Sequence, residues 1–506
     1  MTSIATTKPE MTPTDRLLIL ITVGTATMLY GVSMTIVNVA LPQLQGAMSA
    51  TQDEVSWVVT LNIIATAIAT PLTGWFVARI GRRALLIYSI IGFSISTLLC
   101  GSAESLESLL IYRIWQGALG APLVPLAQAI VLDTYPRAQH AFANGILGVS
   151  AVFGPAIAPS IGGYLSEVFD WRWVFYMIVP LCGFALLGAL KFIHDIEREQ
   201  HLRFNLSGFL LFSVVLATIQ LIVDRGEQLD WFDSTLFIGL FVILLVAIYG
   251  FLVNSYYSEH PFINPSLFTN GNYVVGLILV GVYGMLNFTP LVVLPPLLQN
   301  AKGYPDSLIG TILAMRGVGL IIGFYAASQM GRFDPRIGMT VGLGCMGLSG
   351  WTLSQLGLDF APWHVSWPSV IQGVGCGLMW TPLSVVTFST LPTKLFPDGS
   401  ALFHLIRNFG SSIFIALSII TLTRTAKIHY AEASSSISPL NEMLRLDSIT
   451  GLWSFQTSPG IAALQREFFR QSSMVGYDNA FMLYAVVCLI PLPLILFVRY
   501  KREPSR

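Results

Sequence analysis

The chain has 506 residues, of which 54% are hydrophobic and only 11% charged, far below the roughly 25% charged residues of soluble domains. Its 27 basic and 27 acidic residues cancel to a formal net charge of 0, which excludes a nucleic-acid binder, a charged tail and a disordered scaffold. With a mean hydropathy of +0.68, almost none of the chain suits water. The apolar residues fall in long blocks such as 17–30, 84–100, 236–253 and 481–498. Blocks near twenty residues long cross a hydrocarbon core of about 30 Å as helices, because lipid leaves the backbone no other hydrogen-bond partner. A transmembrane β-barrel would need shorter, alternating segments.

In chain order, the polar residues 1–16 precede fourteen expected spans: 17–41, 54–77, 84–102, 108–131, 141–164, 172–193, 205–223, 235–254, 272–298, 307–328, 337–356, 365–388, 401–422 and 477–499. No convincing cleavage site follows the N-terminus, so the first span serves as its own insertion signal. The ninth span is expected to tilt or break near Pro295 and Pro296. Residues 423–476 form the one large extramembrane loop, with an apolar-spaced stretch near 461–469; the loop reads either as a floppy linker with a surface helix or as a gate or docking surface outside the cytoplasm. Cys100, Cys182, Cys345, Cys376 and Cys488 lie in or beside apolar segments without paired spacing and read as small buried residues.

Charge placement orients the spans. With residues 1–16 in the cytoplasm, the alternate loops and both termini hold sixteen Lys and Arg, against seven on the opposite side, five of those in the 423–476 loop. Basic residues concentrate in short cytoplasmic loops, so both termini are expected inside. A further regularity is internal: GWFVARIGRR at 74–83 and AASQMGRFDPR at 326–336 both close even-numbered spans with a small, basic turn. The expected layout is therefore an N-terminal six-helix bundle (17–203), two inserted helices (204–256), a C-terminal six-helix bundle (257–499) and a short cytoplasmic tail (500–506). Duplicated halves of this kind support alternating access.

Several motifs occur in order along this frame: TIVNVALP at 35–42, EVSWVVT at 54–60, GWFVARIGRR at 74–83, YRIWQGALGAPLVPL at 112–126, GILGVSAVFGPAIAPSIGGYLSE at 145–167, WRWVFY at 171–176, DRGEQLDWFDS at 224–234, GRFDPR at 331–336, RNFGSSIFIAL at 407–417 and YDNAF at 477–481. Together they resemble the major facilitator superfamily, and more narrowly its fourteen-helix drug:proton antiporter branch of the EmrB/QacA type. The resemblance covers residues from about 15 to 500. It implies an all-α polytopic membrane protein in a bacterial inner membrane that exports amphiphilic small molecules against proton entry. It also implies, for the Gram-negative members, a periplasmic adaptor protein and an outer-membrane channel as partners.

Residue by residue, the resemblance places proton coupling or gating on Arg113 and Gln116 of YRIWQG. A buried guanidinium keeps its charge and needs partners or water; the plainer reading is that Arg113 snorkels to headgroups. The cytoplasmic turn implies a latch of Gly74, Arg79, Gly81, Arg82, Arg83 and Arg332, which also reads as a simple positive-inside anchor. The branch's usual acid in that turn falls on Ala78, and the acid that often precedes TIVNVALP falls on Ser33. No carboxylate lies deep in an expected span, so Glu54 and Asp133 are the candidate proton carriers, each equally readable as a cap or a solvated charge; His404 beside Arg407 is another group that titrates near neutrality. Gly148, Gly154, Pro155, Pro159, Gly162 and Gly163 imply a hinge or seal in the fifth span, where small residues allow close helix approach. Amides, arginines and aromatics inside apolar spans supply the candidate substrate cavity: Asn38, Asn62, Trp57, Gln128, Tyr283, Asn287, Arg316, Gln372, Trp380 and Arg407.

The expected function is a secondary active exporter of hydrophobic or amphiphilic compounds. The alternatives are export of one metabolite, such as a siderophore or fatty acid, and a non-transporting sensor or assembly protein. Neither a P-loop, a metal-ligand set nor a nucleophile constellation stands in the sequence, so neither a cofactor nor an enzymatic role is expected.

Overall fold

The computed structural model describes residues 12–136, 139–194, 204–229, 231–330, 334–392, 395–435, 453 and 457–498. The described residues are helical throughout, without a strand. The helices are α1 (Pro13–Ala47), α2 (Gln52–Ala69), α3 (Leu72–Ile80), α4 (Arg82–Gly101), α5 (Leu106–Gly120), α6 (Leu123–Thr134), α7 (His140–Val168), α8 (Trp173–Tyr176) and α9 (Ile178–Phe192). They continue with α10 (Leu206–Arg225), α11 (Thr235–Tyr257), α12 (Gly271–Lys302), α13 (Asp306–Gln329), α14 (Pro335–Leu353), α15 (Pro362–Ser389), α16 (Phe396–Ser435), α17 (Ser458–Val487) and α18 (Leu492–Ile495).

Every expected span falls on one helix or a consecutive pair. Among the described residues, eleven helical stretches are long and apolar enough to cross a membrane by themselves, and the pair α2–α3, bent by 54°, makes a twelfth. The other two expected spans lie on α7 and α14. Local chemistry sets the boundaries. Thr12, Thr51 and Ser105 form capping boxes at the starts of α1, α2 and α5, each satisfying a free backbone N–H. Pro71 and Pro122 stand at the α2–α3 and α5–α6 breaks, where the missing N–H interrupts the helical ladder.

Two expectations change. α12 runs unbroken through Pro290, Pro295 and Pro296 to Lys302, and ends only at Gly303, whose φ of +66° is the left-handed cap. Tertiary packing holds the helix where proline alone would loosen it. The expected 423–476 loop is helical at both ends, because α16 continues to Ser435 and α17 begins at Ser458. The apolar-spaced stretch near 461–469 is the first part of α17 rather than a separate surface helix, while residues 436–452 lie outside the described residues.

The chain divides into two compact units. The first comprises Met1–Ala217, Tyr249–Leu267 and Leu391–His404; the second comprises Thr218–Ile248, Phe268–Thr390 and Leu405–Arg506. In the first, α1 lies along α7 at glycine contacts: a β-carbon on Gly31 would overlap the Pro155 ring, and one on Gly154 would meet Met28 and Val32. In the second, α13 lies along α15 at closer range, with Gly319 and Gly323 set against the backbone oxygens of Val370 and Val374. Small residues are how helices gain dispersion contact where lipid removes the hydrophobic drive to associate.

Candidate functional site

In the first unit, the close approach of α2 and α5 decides what surrounds Arg113. A β-carbon on Gly117 would overlap the backbone oxygen of Asn62. At that distance Asn62 Nδ2 donates to the Arg113 carbonyl at 2.8 Å, and Thr66 Oγ1 donates to the Gly117 carbonyl at 3.1 Å. The Arg113 side chain is 0% exposed. Its Nε donates to the Val58 carbonyl at 3.0 Å, and its Nη1 donates to Ser33 Oγ at 3.4 Å and to Gln116 Oε1. Gln116 Nε2 in turn donates to Thr97 Oγ1 at 2.7 Å. Arg113 Nη2 has no hydrogen-bond partner, and the guanidinium carbon lies 6.0 Å from the Phe175 ring centre. Arg113 is therefore held by neutral groups inside the unit and does not reach for headgroups. Taking a guanidinium out of water costs several kcal/mol, and here neutral acceptors alone offset it.

The second unit builds a comparable cluster on other helices. Gly373 of α15 sits against the Arg316 backbone oxygen, which places the preceding residue, Gln372, beside the Arg316 side chain. Arg316 is 1% exposed. Its Nε donates to Gln372 Oε1, and its Nη2 donates to the Asn287 carbonyl at 2.8 Å and to Asn287 Oδ1 at 2.5 Å. Its Nη1 has no hydrogen-bond partner. Gln372 Nε2 faces the Tyr484 hydroxyl at 3.3 Å, and that hydroxyl donates to the Leu286 carbonyl at 2.9 Å. The cluster thus ties α12, α13, α15 and α17 together. Beside it, Gly284 of α12 sits against the Arg407 backbone of α16. This approach sets the Arg407 guanidinium 5.9 Å from the Phe288 ring and 5.7 Å from Trp380. Trp380 stacks on Tyr283, centroids 5.1 Å apart.

The remaining expected residues have definite places. Glu54 closes the Thr51 capping box at 2.8 Å. Asp133 pairs with Arg82 at 3.0 Å, both partly buried. Arg83 Nη2 donates to the Leu190 carbonyl at 2.8 Å, and Arg79 lies over Trp75 at 5.4 Å. Gly81 joins α3 to α4 at φ +87°, a conformation that a side chain would strain. Arg332 lies outside the described residues, as does the Pro159 side chain. α7 is continuous through Pro155 and Pro159; Gly148, Gly154 and Gly162 are buried and Gly163 half-buried. Asn38 is exposed and Trp57 half-buried. Gln128 is buried with its Oε1 on His404 Nε2.

One residue escaped sequence reasoning. Asp398, in the first turn of α16 within the first unit, presses its carboxylate onto Gly74: a β-carbon there would overlap Asp398 Oδ1. The expected turn acid is replaced by Ala78, and the acid that meets the turn comes from a helix some three hundred residues away. The readable signal was an Asp in the first turn of an apolar helix, but nothing local to 396–400 pointed at Gly74.

Long helices that expose apolar side chains around a buried polar interior define a polytopic helical membrane protein; α11, for example, exposes Leu245, Val246, Tyr249 and Leu252. Guanidinium and amide clusters inside such helices are a feature of solute transporters. Residues 23–415 match the Major Facilitator Superfamily, and the chain belongs to that family. It is 30% identical over 493 residues to the multidrug export protein EmrB of Escherichia coli (strain K12), covering 95% of this chain and 94% of that protein. It is 29% identical over 496 residues to the multidrug export protein EmrB of Haemophilus influenzae, covering 96% of each. Among solved structures, the crystal structure of the human organic anion transporter MFSD10 (TETRAN) superposes with a TM-score of 0.62 at 11% identity, over 96% of this chain and 100% of that one. At that identity the likeness concerns the fold.

Proposed function

We propose that this protein is a multidrug exporter: it moves hydrophobic or amphiphilic small molecules out of the cell by alternating access, driven by inward proton flow. The observation that carries this reading is end-to-end similarity. The chain and the EmrB proteins cover 94–96% of each other, so the similarity runs along nearly the whole of both. In this reading the protein sits in a bacterial inner membrane with both termini in the cytoplasm, a placement that the basic residues of its short loops support, and works with a periplasmic adaptor and an outer-membrane channel.

In this reading Arg113 and Gln116 couple or gate the cycle in the first unit. A fixed charge held only by neutral groups is sensitive to any proton or ion that arrives beside it. The turn of Gly74, Gly81 and Arg82 latches one access state, with Asp398 serving as the acid the turn itself lacks. Purified protein in proteoliposomes with an imposed pH gradient tests the proposal, using dyes and amphiphiles of each charge. Substrate-dependent proton flux is expected. Substrate movement indifferent to the gradient would remove the antiport, and no movement of any compound would remove export altogether.

A further inference from the structure

We propose that the second unit carries a binding site for the anionic head of an aromatic or amphiphilic acid, a carboxylate or sulfonate, built from Arg316, Arg407, Asn287, Tyr283, Phe288 and Trp380. The inference rests on the export reading and adds to it the charge class of the cargo and the place where that charge is held.

The argument begins with Arg316. Its partners are an amide oxygen on Gln372, both oxygens of Asn287 and, at 3.8 Å, the Cys376 sulfur, and its Nη1 has none, although the residue is 1% exposed. A guanidinium offers five N–H donors in a planar fork and stays charged at any pH the cell meets. Neutral oxygens can solvate that charge but cannot cancel it. A second guanidinium belongs to the same unit: Arg407 lies over Phe288, the neighbour of Asn287, and over Trp380, which stacks on Tyr283. Tyr283 itself stands one helical turn before Asn287 on α12. Two fixed positive charges therefore border one aromatic group in a water-poor interior, where electrostatic interactions are strongest. The free donor of Arg316 and the adjoining rings suit a ligand with an oxyanion at one end and a flat apolar body at the other.

The first unit offers a contrast. Arg113 also leaves one nitrogen without a hydrogen bond; it faces the Phe175 ring at 6.0 Å, and the groups bonded to it are a serine, a glutamine and a carbonyl. Phe175 also packs edge-on with Trp171, over which Arg172 lies at 4.6 Å, but Arg172 is partly exposed and its charge is already matched by Asp170 at 3.1 Å.

The test uses the full chain in phosphatidylcholine nanodiscs, with empty discs as the blank. Its probes share one ring system: naphthoate, the neutral naphthamide and the cationic naphthyltrimethylammonium. Naphthoate is expected to bind about tenfold or more tighter than either of the others. Arg316→Gln and Arg407→Gln should each remove most of that preference while leaving naphthamide binding within about twofold. Arg407→Lys should keep part of it, because the charge survives without the fork. Trp380→Ala should weaken naphthoate and naphthamide alike. Equal affinity for the three probes in the wild type overturns the site, as does a parallel loss of naphthoate and naphthamide in both glutamine variants. Arg407→Gln keeps the test open if Arg316→Gln fails to fold. Discs of phosphatidylglycerol distinguish the other source of an oxyanion: unchanged naphthoate affinity supports the site, and its loss assigns the site to a lipid headgroup instead. Export of uncharged dyes in proteoliposomes separates the two levels. Arginine-dependent naphthoate binding without any export defeats only the transport reading, whereas export with no charge preference defeats only the site.

Discussion

Arg113 and Arg316 are the largest fully buried side chains among the described residues, and the two units hold them differently. Arg113 sits on α5 and draws on α1, α2 and its own helix: Ser33, Val58 and Gln116. Arg316 sits on α13 and draws on α12 and α15: Asn287 and Gln372. Both clusters satisfy a cation with neutral oxygens and leave one nitrogen unbonded. The first is closed around by hydroxyl, amide and carbonyl groups. The second adjoins another guanidinium and an aromatic stack. On the two proposals above, the same costly feature serves two ends, a fixed charge in a coupling network and a fixed charge facing a ligand. Which end it serves depends on the second layer of contacts.

The helix seams separate the units most sharply. Gly373→Val should abolish folded protein, because a side chain there meets the Arg316 backbone and overpacking costs about 1–3 kcal/mol or more even where neighbours yield. In the first unit Gly92→Ala meets only the tip of Leu119 and should cost under about 1 kcal/mol; thermal midpoints of the purified proteins compare the two. Next in size, Arg113→Ala should slow dye export in proteoliposomes by about tenfold or more if the arginine gates the cycle. A normal rate with a lowered melting temperature would make it a structural cation only. Acid insertion then contrasts the two clusters directly. Ser33→Asp should stabilise the protein by about 1–3 kcal/mol through a charge-assisted bond to Arg113 and alter the pH profile of export. Asn287→Asp should stabilise in the same way but erase the preference for naphthoate, since its carboxylate fills the place of the ligand's. Finer still, Gly74→Ala and Asp398→Ala should be non-additive by about 1 kcal/mol in a double-mutant cycle, because the alanine methyl and the carboxylate contend for one space. The smallest effect belongs to Asp133→Asn, whose partly buried pair with Arg82 should be worth about 1 kcal/mol or less, read as a shift in melting temperature.

Much of the fold was legible because its signals are local. Twenty apolar residues in a row mean a spanning helix whatever surrounds them, and Thr12, Thr51 and Ser105 announce helix starts from three or four neighbouring residues. The proline signals misled at α12 in so far as they suggested a break, because the helix continues through Pro295 and Pro296. At the candidate sites, the sequence singled out Arg113, Gln116, Arg316, Asn287 and Gln372 as polar groups in apolar surroundings. It could not join them, since Arg316 and Gln372 are 56 residues apart and Arg113 and Ser33 are 80 apart. Asp398 was missed altogether, because its meaning comes from Gly74, far away in the chain.

Sequence alone, then, determined that this chain is helical, that lipid is its solvent, that it belongs with the major facilitators and that its deepest charges are cationic. Those properties depend on residue type and on spacings of a few residues. Tertiary structure decided which oxygens solvate each arginine, which one adjoins an aromatic wall and which acid meets the Gly74 turn. Those outcomes depend on how closely helices approach, and the approach is set where a glycine on one helix meets the backbone of another remote in sequence.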